Sequence, residues 1–194
     1  MAKAAKFDRQ QVIEKATNLY WQKGFHGTSM RSLQDAIDMR PGSIYAAFGS
    51  KDELFKQALD NYTDCGRADL ERCLAANDSP IQALKQFIKL IVIDSRTHAP
   101  NGMCMLAKTI AELTDEQHDL LEHAKKCYQS METEFTKALR LAQQQGEIRA
   151  DKDLQQLARH VQIQISGLRT YIKASHDELP LEQMIDDIFT HYPF

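Results

Sequence analysis

The chain has 194 residues, 43% of them hydrophobic, which is enough for a medium domain or a small one joined to a larger one, with a core that needs no outside staples. It has no apolar run of transmembrane length, and the opening Met-Ala-Lys-Ala-Ala-Lys-Phe-Asp has no apolar segment; both set the expectation of a cytoplasmic protein with no membrane partner and no secretory leader. The formal net charge of -3 divides unevenly: residues 1–56 hold nine Lys/Arg and six Asp/Glu, leaving a basic head on an acidic body, as expected when only one end meets phosphate.

Five prolines and eight glycines are few, and apolar residues recur three and four apart almost throughout, so the fold class is all-α. Asp8 can cap a first helix with Val12, Ile13, Ala16, Leu19 and Tyr20 on one stripe, stopped by Lys23-Gly24. Thr28 is placed as the N-cap of a short helix, Ser29 to Ala36, with Met30, Leu33, Ala36 and Ile37 turned inward. A tight turn through Asp38 to Arg40 follows. Pro41 then starts a helix over Gly42 to Phe48, with Ile44 and Phe48 four apart on its buried side.

Gly49-Ser50 ends that helix and caps a longer one, from Ser50 to about Leu74. Asn77-Asp78-Ser79-Pro80 breaks the chain before a segment from Ile81 to about His98, and Ala99-Pro100-Asn101-Gly102 is a turn. Met103 to Leu113 and Asp115 to Gln145 read as a short and a long helix, closed by Gly146. Asp151 opens a helix with Leu154, Leu157, Val161, Ile165, Leu168 and Ile172 on one stripe. Leu181, Met184, Ile185 and Ile188 mark the last helix after Pro180. No repeat or low-complexity segment interrupts the pattern.

The informative stretch runs from Gly27-Thr-Ser-Met-Arg-Ser-Leu-Gln-Asp-Ala-Ile to Gly42-Ser-Ile-Tyr-Ala-Ala-Phe-Gly-Ser-Lys-Asp-Glu-Leu-Phe55. Two short helices joined by a tight turn set the second in a major groove while the first crosses the backbone. In order, a Gly-Phe-x-Gly-Thr type entry, the inward Ala36-Ile37, Gly-Ser-Ile-Tyr-x-x-Phe and Ser-Lys-x-x-Leu resemble the DNA-binding domain of the TetR family. The resemblance implies a three-helix helix-turn-helix domain over 1–52 and, over 53–194, a ligand-sensing and dimerising antiparallel bundle, about nine helices in all. It also implies double-stranded operator DNA as partner and a homodimer formed through the last two helices, each recognition helix reading one half of a palindrome.

On this reading Thr28 and Ser29 offer the amides of helix two to a phosphate, and Lys51 adds a point charge. Arg40, Ser43, Tyr45 and Ala46 are the exposed recognition positions, Arg40 being suited to guanine, and Gly42 permits close approach to the DNA backbone. The resemblance makes Tyr45 and Lys51 phosphate contacts. It departs from the family at Ala47, where many members carry His, so that contact is missing or replaced.

The resemblance also implies a small-molecule effector held in the body. Cys104, in Asn-Gly-Met-Cys-Met-Leu-Ala-Lys, resembles a Gly-Cys-Leu stretch found in relatives that sense electrophiles or oxidants, although here Met103 separates Gly102 from the thiol. A thiol near a helix N-terminus reacts more readily, and Lys173 is a candidate charge partner. Phe87, Tyr128, Met131 and Tyr171 are candidates to line an apolar pocket, and core by default. His123 and Cys127, four apart on one helix, and His98, Met103 and Met105 around Cys104 are soft ligand types suited to Cu(I) or Zn and raise a metal-responsive alternative, but no metal ligand set and no cofactor is assigned.

Cys65, Cys73, Cys104 and Cys127 form no Cys-x-x-Cys pair and read as reduced thiols. The rival classes are an enzyme and a helical adaptor. The chain has no Glu-x-x-His motif, phosphate loop or nucleophile elbow, so no catalytic residue is assigned. An adaptor would leave the basic recognition helix without a task.

Overall fold

The computed structural model describes residues 7–94, 99–176, 178–190 and 193–194. Among them the chain forms α1 (Arg9–Lys23), α2 (Met30–Ile37), α3 (Pro41–Phe48), α4 (Lys51–Ala76), α5 (Pro80–Val92), α6 (Met105–Glu112), α7 (His118–Gln144), α8 (Leu154–Ala174) and α9 (Leu181–Ile188), with a 3-10 turn over Asp115–Gln117 and no strand.

Local chemistry sets these limits. The Asp8 carboxylate accepts from the Gln10 and Gln11 amides at the start of α1, and Gly24 ends it at φ 79°, a conformation that favours glycine. Helix α2 is capped by Ser29, whose hydroxyl accepts from the Ser32 amide. That corrects the expected Thr28 cap. Thr28 is fully buried and donates to the Gly24 carbonyl at 2.6 Å, so it locks the turn after α1 and presents nothing to a phosphate.

Other boundaries move by a residue or more. Helix α4 begins at Lys51 and runs to Ala76; α5 begins at Pro80, not Ile81, and ends at Val92, so His98 lies outside it and outside the described residues. Helix α6 starts at Met105 with Cys104 as N-cap, so Met103 precedes it. The long segment after Leu113 divides into the 3-10 turn and α7, because Thr114 and Gln117 form a capping box around the turn. Helix α8 is capped by Asp153, two residues after the expected Asp151, through hydrogen bonds to the Gln155 and Gln156 amides.

Two apolar cores result. One gathers α1 to α3 around Tyr20, Leu33, Ile44, Phe48 and Phe55, and takes in Met105, Leu106 and Leu113 of the α6 segment and Leu120 and Ala124 of α7. The other fills the body with Leu84, Phe87, Ile88, Phe135, Leu139, Val161, Ile165 and Ile185. The head therefore rests on α6 and the first half of α7. Helix α4, one continuous rod of 26 residues, runs through both cores.

Candidate nucleic-acid interface and effector cavity

Helix α3 is held by its buried Ile44 and Phe48, so its opposite side is free. Arg40, Gly42, Ser43, Tyr45 and Ala46 are all exposed, Tyr45 to 49%. Arg40 is the N-cap residue but makes no side-chain cap, which leaves its guanidinium available. Pro41 at the first helical position removes an amide that would have lacked a partner there. A β-carbon at Gly42 would meet nothing within 4 Å, so this end of α3 is open to a large partner. The Ala47 carbonyl accepts from Arg9 Nη1 at 2.8 Å while the same guanidinium lies 4.5 Å from the centre of the Phe48 ring, which clamps the far end of α3 onto α1.

Lys51 has an intramolecular task besides the phosphate contact expected of it. Its ammonium donates to the Phe25 carbonyl at 2.7 Å and sits 4.1 Å from the Phe25 ring centre. Burial lowers its pKa against the opposing pull of the Asp52 and Glu112 carboxylates. It braces the turn after α1 onto α4, and only its remaining N–H groups point elsewhere.

The head is tied to α6 at several points. Glu112 accepts from the Phe25 and His26 amides at 3.2 and 2.8 Å, Lys108 donates to the Trp21 and Gln22 carbonyls at 3.2 and 3.0 Å, and the Trp21 indole donates to the Met103 carbonyl at 2.7 Å. Trp21 also meets Tyr62 edge-on at 5.0 Å and lines the body's cavity. One side chain of α1 thus touches α4, the approach to α6 and the cavity.

That cavity is about 490 Å³, within the usual range for small-molecule sites. Phe87, Tyr128 and Met131 line it as expected, together with Phe135 and Ile165. Tyr171 does not: it is 57% exposed on the outer side of α8. Polar groups enter at two places. Gln162 donates to the Tyr128 carbonyl at 3.0 Å, and its buried Oε1 has no partner among the described residues. Arg169, only 6% exposed, donates to the Ile91 carbonyl from Nε and Nη2 at 3.2 and 2.6 Å, and to the Tyr62 hydroxyl from Nη1 at 3.1 Å. Burial of Tyr62 pushes its phenol above the ordinary range.

Cys104 lines the same cavity, close enough to Tyr62 and Arg169 to act on both electrostatically. The cation beside the thiol is therefore Arg169. Lys173 reaches the Asn101 side chain at 3.3 Å instead, because it projects from the exposed last turn of α8. Neither Gln162 nor Arg169 is among the residues singled out from the sequence above. Their separation of seven residues, two turns on the buried face, is the signal that finds them. Cys65, Cys73, Cys104 and Cys127 are all free thiols. His123 and Cys127 do share one face of α7, and Asp60 of α4 joins them, with His123 Nε2 2.7 Å and Cys127 Sγ 3.5 Å from the Asp60 carboxylate.

Residues 12–58 match the family described as bacterial regulatory proteins, tetR family, and residues 80–188 match the tetracyclin repressor-like C-terminal domain. The chain is 27% identical over 163 residues to the HTH-type transcriptional repressor ComR of Escherichia coli, covering 84% of this chain and 78% of that one. Its fold is similar to that of a cysteine mutant of the TetR family regulator CifR bound to a 26-bp double-strand operator DNA, with a TM-score of 0.84 at 24% identity over 98% of this chain and 100% of the other. It is also similar to the reduced form of NemR from Escherichia coli, with a TM-score of 0.81 at 19% identity over 93% and 94% of the two chains.

Proposed function

We propose, from the premise that the chain belongs to the TetR family of bacterial regulatory proteins, that it is a repressor that binds a palindromic operator as a homodimer and is released by a small molecule or a reactive electrophile. The observation that carries this reading is the exposed face of α3, with Arg40, Ser43, Tyr45 and Ala46 held on a rigid frame whose other end is clasped by α6. Residues 1–52 read DNA and residues 53–194 sense and pair. Ser29 and Arg40 stand at the surface at the N-termini of α2 and α3, Tyr45 and the spare donors of Lys51 address phosphates, and Arg40 addresses a base edge.

The effector binds in the cavity lined by Phe87, Tyr128 and Met131. Its apolar lining suits an apolar molecule, and the unpartnered Gln162 Oε1 favours one carrying a hydrogen-bond donor. Cys104, beside Arg169 at the start of α6, is the candidate nucleophile that loses its proton to solvent and adds through sulfur to an electrophile. A ligand or adduct there acts on the N-terminus of the helix whose Lys108 and Glu112 hold the head. A displacement of α6 shifts the spacing of two recognition helices that must both engage.

Dimerisation through α8 and α9 is supported by the outer face of α8. Ile163 is 65% and Tyr171 57% exposed, and between them at the same helical angle stands Gly167, where a β-carbon would meet nothing within 4 Å. The test is binding of the full chain to its own upstream palindromic DNA at two salt concentrations, with and without an electrophile, and with a Cys104→Ser control. Salt-sensitive binding supports the repressor, since phosphate contacts release counterions. Release by the electrophile only when Cys104 is present supports the thiol sensor. An absence of salt-sensitive duplex binding would make the protein a helical adaptor.

A further inference from the structure

We propose that Asp60, His123 and Cys127 form a Zn²⁺ site at the crossing of α4 and α7, separate from the effector cavity. His123 and Cys127 are four apart on α7 and so project from one face, while Asp60 comes from the facing side of α4. One ligand atom from each lies within 4.8 Å of the other two; the pairs to Asp60 are 2.7 and 3.5 Å. Zinc bonds of about 2.0–2.3 Å in a tetrahedron place ligand atoms roughly 3.3–3.8 Å apart. The three atoms straddle that spacing, so shifts on the order of 1 Å, within reach of side-chain rotation, close the set around an ion.

The donors also select the metal. An imidazole, a carboxylate and a thiolate suit Zn²⁺, whereas Ca²⁺ and Mg²⁺ call for oxygen shells. Cys127 is 7% exposed, and the exposed Asp60 leaves an access route for the ion and room for water in the fourth position. The thiol already hydrogen-bonds to the Asp60 carboxylate at 3.5 Å, so the sulfur faces its fellow ligand before an ion arrives. Binding forms Zn–S, Zn–N and Zn–O bonds and releases the Cys127 proton to solvent. Thr63 and Tyr128, beside Cys127 in space and in sequence, line the cavity, so an ion here pins two cavity walls together.

The test is anaerobic titration of the reduced full chain with Co²⁺, followed by displacement with Zn²⁺. The expected result is one ion per chain, with intense visible bands of a tetrahedral ion, a near-ultraviolet thiolate charge-transfer band, and loss of colour on adding Zn²⁺. Cys127→Ser removes the charge-transfer band. Asp60→Asn and His123→Ala each weaken binding by about tenfold or more. Cys65→Ser, Cys73→Ser and Cys104→Ser leave the spectrum unchanged, and far-ultraviolet circular dichroism checks that each variant is folded. No charge-transfer band in the wild type, or a band that survives Cys127→Ser, overturns the proposal. Neither result bears on duplex binding, so this inference and the repressor reading fail separately.

Discussion

Arg169 donates from Nη1 to the Tyr62 hydroxyl at 3.1 Å and so ties α8 to α4 across the effector cavity. Its other two donating nitrogens both reach the Ile91 carbonyl beyond Leu90 on α5. A guanidinium this deeply buried is tolerable only when its N–H groups are used, and here they join three helices at one point.

Replacing Arg169 with Met therefore removes two hydrogen bonds to the Ile91 carbonyl and one to the Tyr62 hydroxyl, at roughly 1–3 kcal/mol for the buried hydroxyl alone. Arg169→Lys keeps the charge but not the fork, and recovers only part of the loss. Urea unfolding measures this as a lower midpoint. A midpoint for Arg169→Met equal to that of the wild type would remove the residue from its bracing role.

On the recognition face, Arg40→Ala and Tyr45→Ala remove exposed side chains and are expected to leave thermal stability within about 0.5 kcal/mol. Tyr45→Ala weakens all duplexes alike and reduces the salt slope by about 1, whereas Arg40→Ala relaxes preference at one base position. Lys51→Ala behaves differently. It removes the shorter of two hydrogen bonds to the Phe25 carbonyl, leaving the Thr28 amide at 3.3 Å, and the cation over the Phe25 ring, so it lowers both DNA affinity and melting temperature. Binding isotherms at several salt concentrations alongside thermal melts separate the three. An unchanged melting temperature for Lys51→Ala would return that lysine to a purely phosphate-binding role.

What could be read in advance divides along physical lines. The order of the helices and the exposed positions of α3 follow from apolar spacing and from Pro41 and Gly49, which are local signals. The cap of α2 was missed because Thr28 and Ser29 are both good caps, and only the packing of Thr28 against the Gly24 carbonyl decides between them. Lys173 and Arg169 are one turn apart and alike in charge. They share one face of α8, and position along the helix decides between them: Arg169 lies where α5 and α7 cover it, whereas Lys173 stands in the exposed last turn. Asp60 joins His123 across 63 residues of sequence, a pairing that no periodicity within one helix contains.

Glu112 is the most direct link between α6 and the head. Its carboxylate lies where a β-carbon on Gly24 would collide, and it accepts two amides of the turn that α2 follows. Glu112→Gln keeps the size, but its amide nitrogen cannot accept, so about 1.5–3 kcal/mol of charge-assisted hydrogen bonding is weakened. The expected phenotype is a folded protein that binds DNA but answers an effector with a smaller change in affinity. A full effector response in Glu112→Gln would show that the signal reaches the head through Trp21 or α4 instead.

Tyr20 supplies a pH dependence. It is 1% exposed, its hydroxyl donates to the Lys51 carbonyl at 3.2 Å, and burial followed by the Asp52 charge raises its pKa above the ordinary 10.0. The folded state therefore keeps the phenol neutral where the unfolded chain ionises it. The stabilisation is fully present below pH 10 and is lost as pH rises from there towards the folded-state value. Stability curves of the wild type and Tyr20→Phe, compared from pH 8 to about 11, isolate this group from the lysines. The wild type falls more steeply above about pH 10, and parallel curves would contradict the assignment.

The homodimer reading makes the outer face of α8 its most exposed commitment. Ile163, Gly167 and Tyr171 are spaced four apart, so they form one stripe along the helix, and the two large side chains are among the most exposed apolar groups of the described chain. A glycine between them permits close helix approach, as a two-fold contact of α8 with its copy requires. Ile163→Asp places a charge at the centre of that contact while altering nothing in the body core, where Val161 and Ile165 face the other way. The variant should melt like the wild type at concentrations where both are monomeric. It should sediment as a monomer where the wild type is a dimer, and lose affinity for a full palindrome far more than for a single half-site. If Ile163→Asp still sediments as a dimer, the pairing surface is not this stripe, and α9 with Met184 and Phe189 becomes the next face to test.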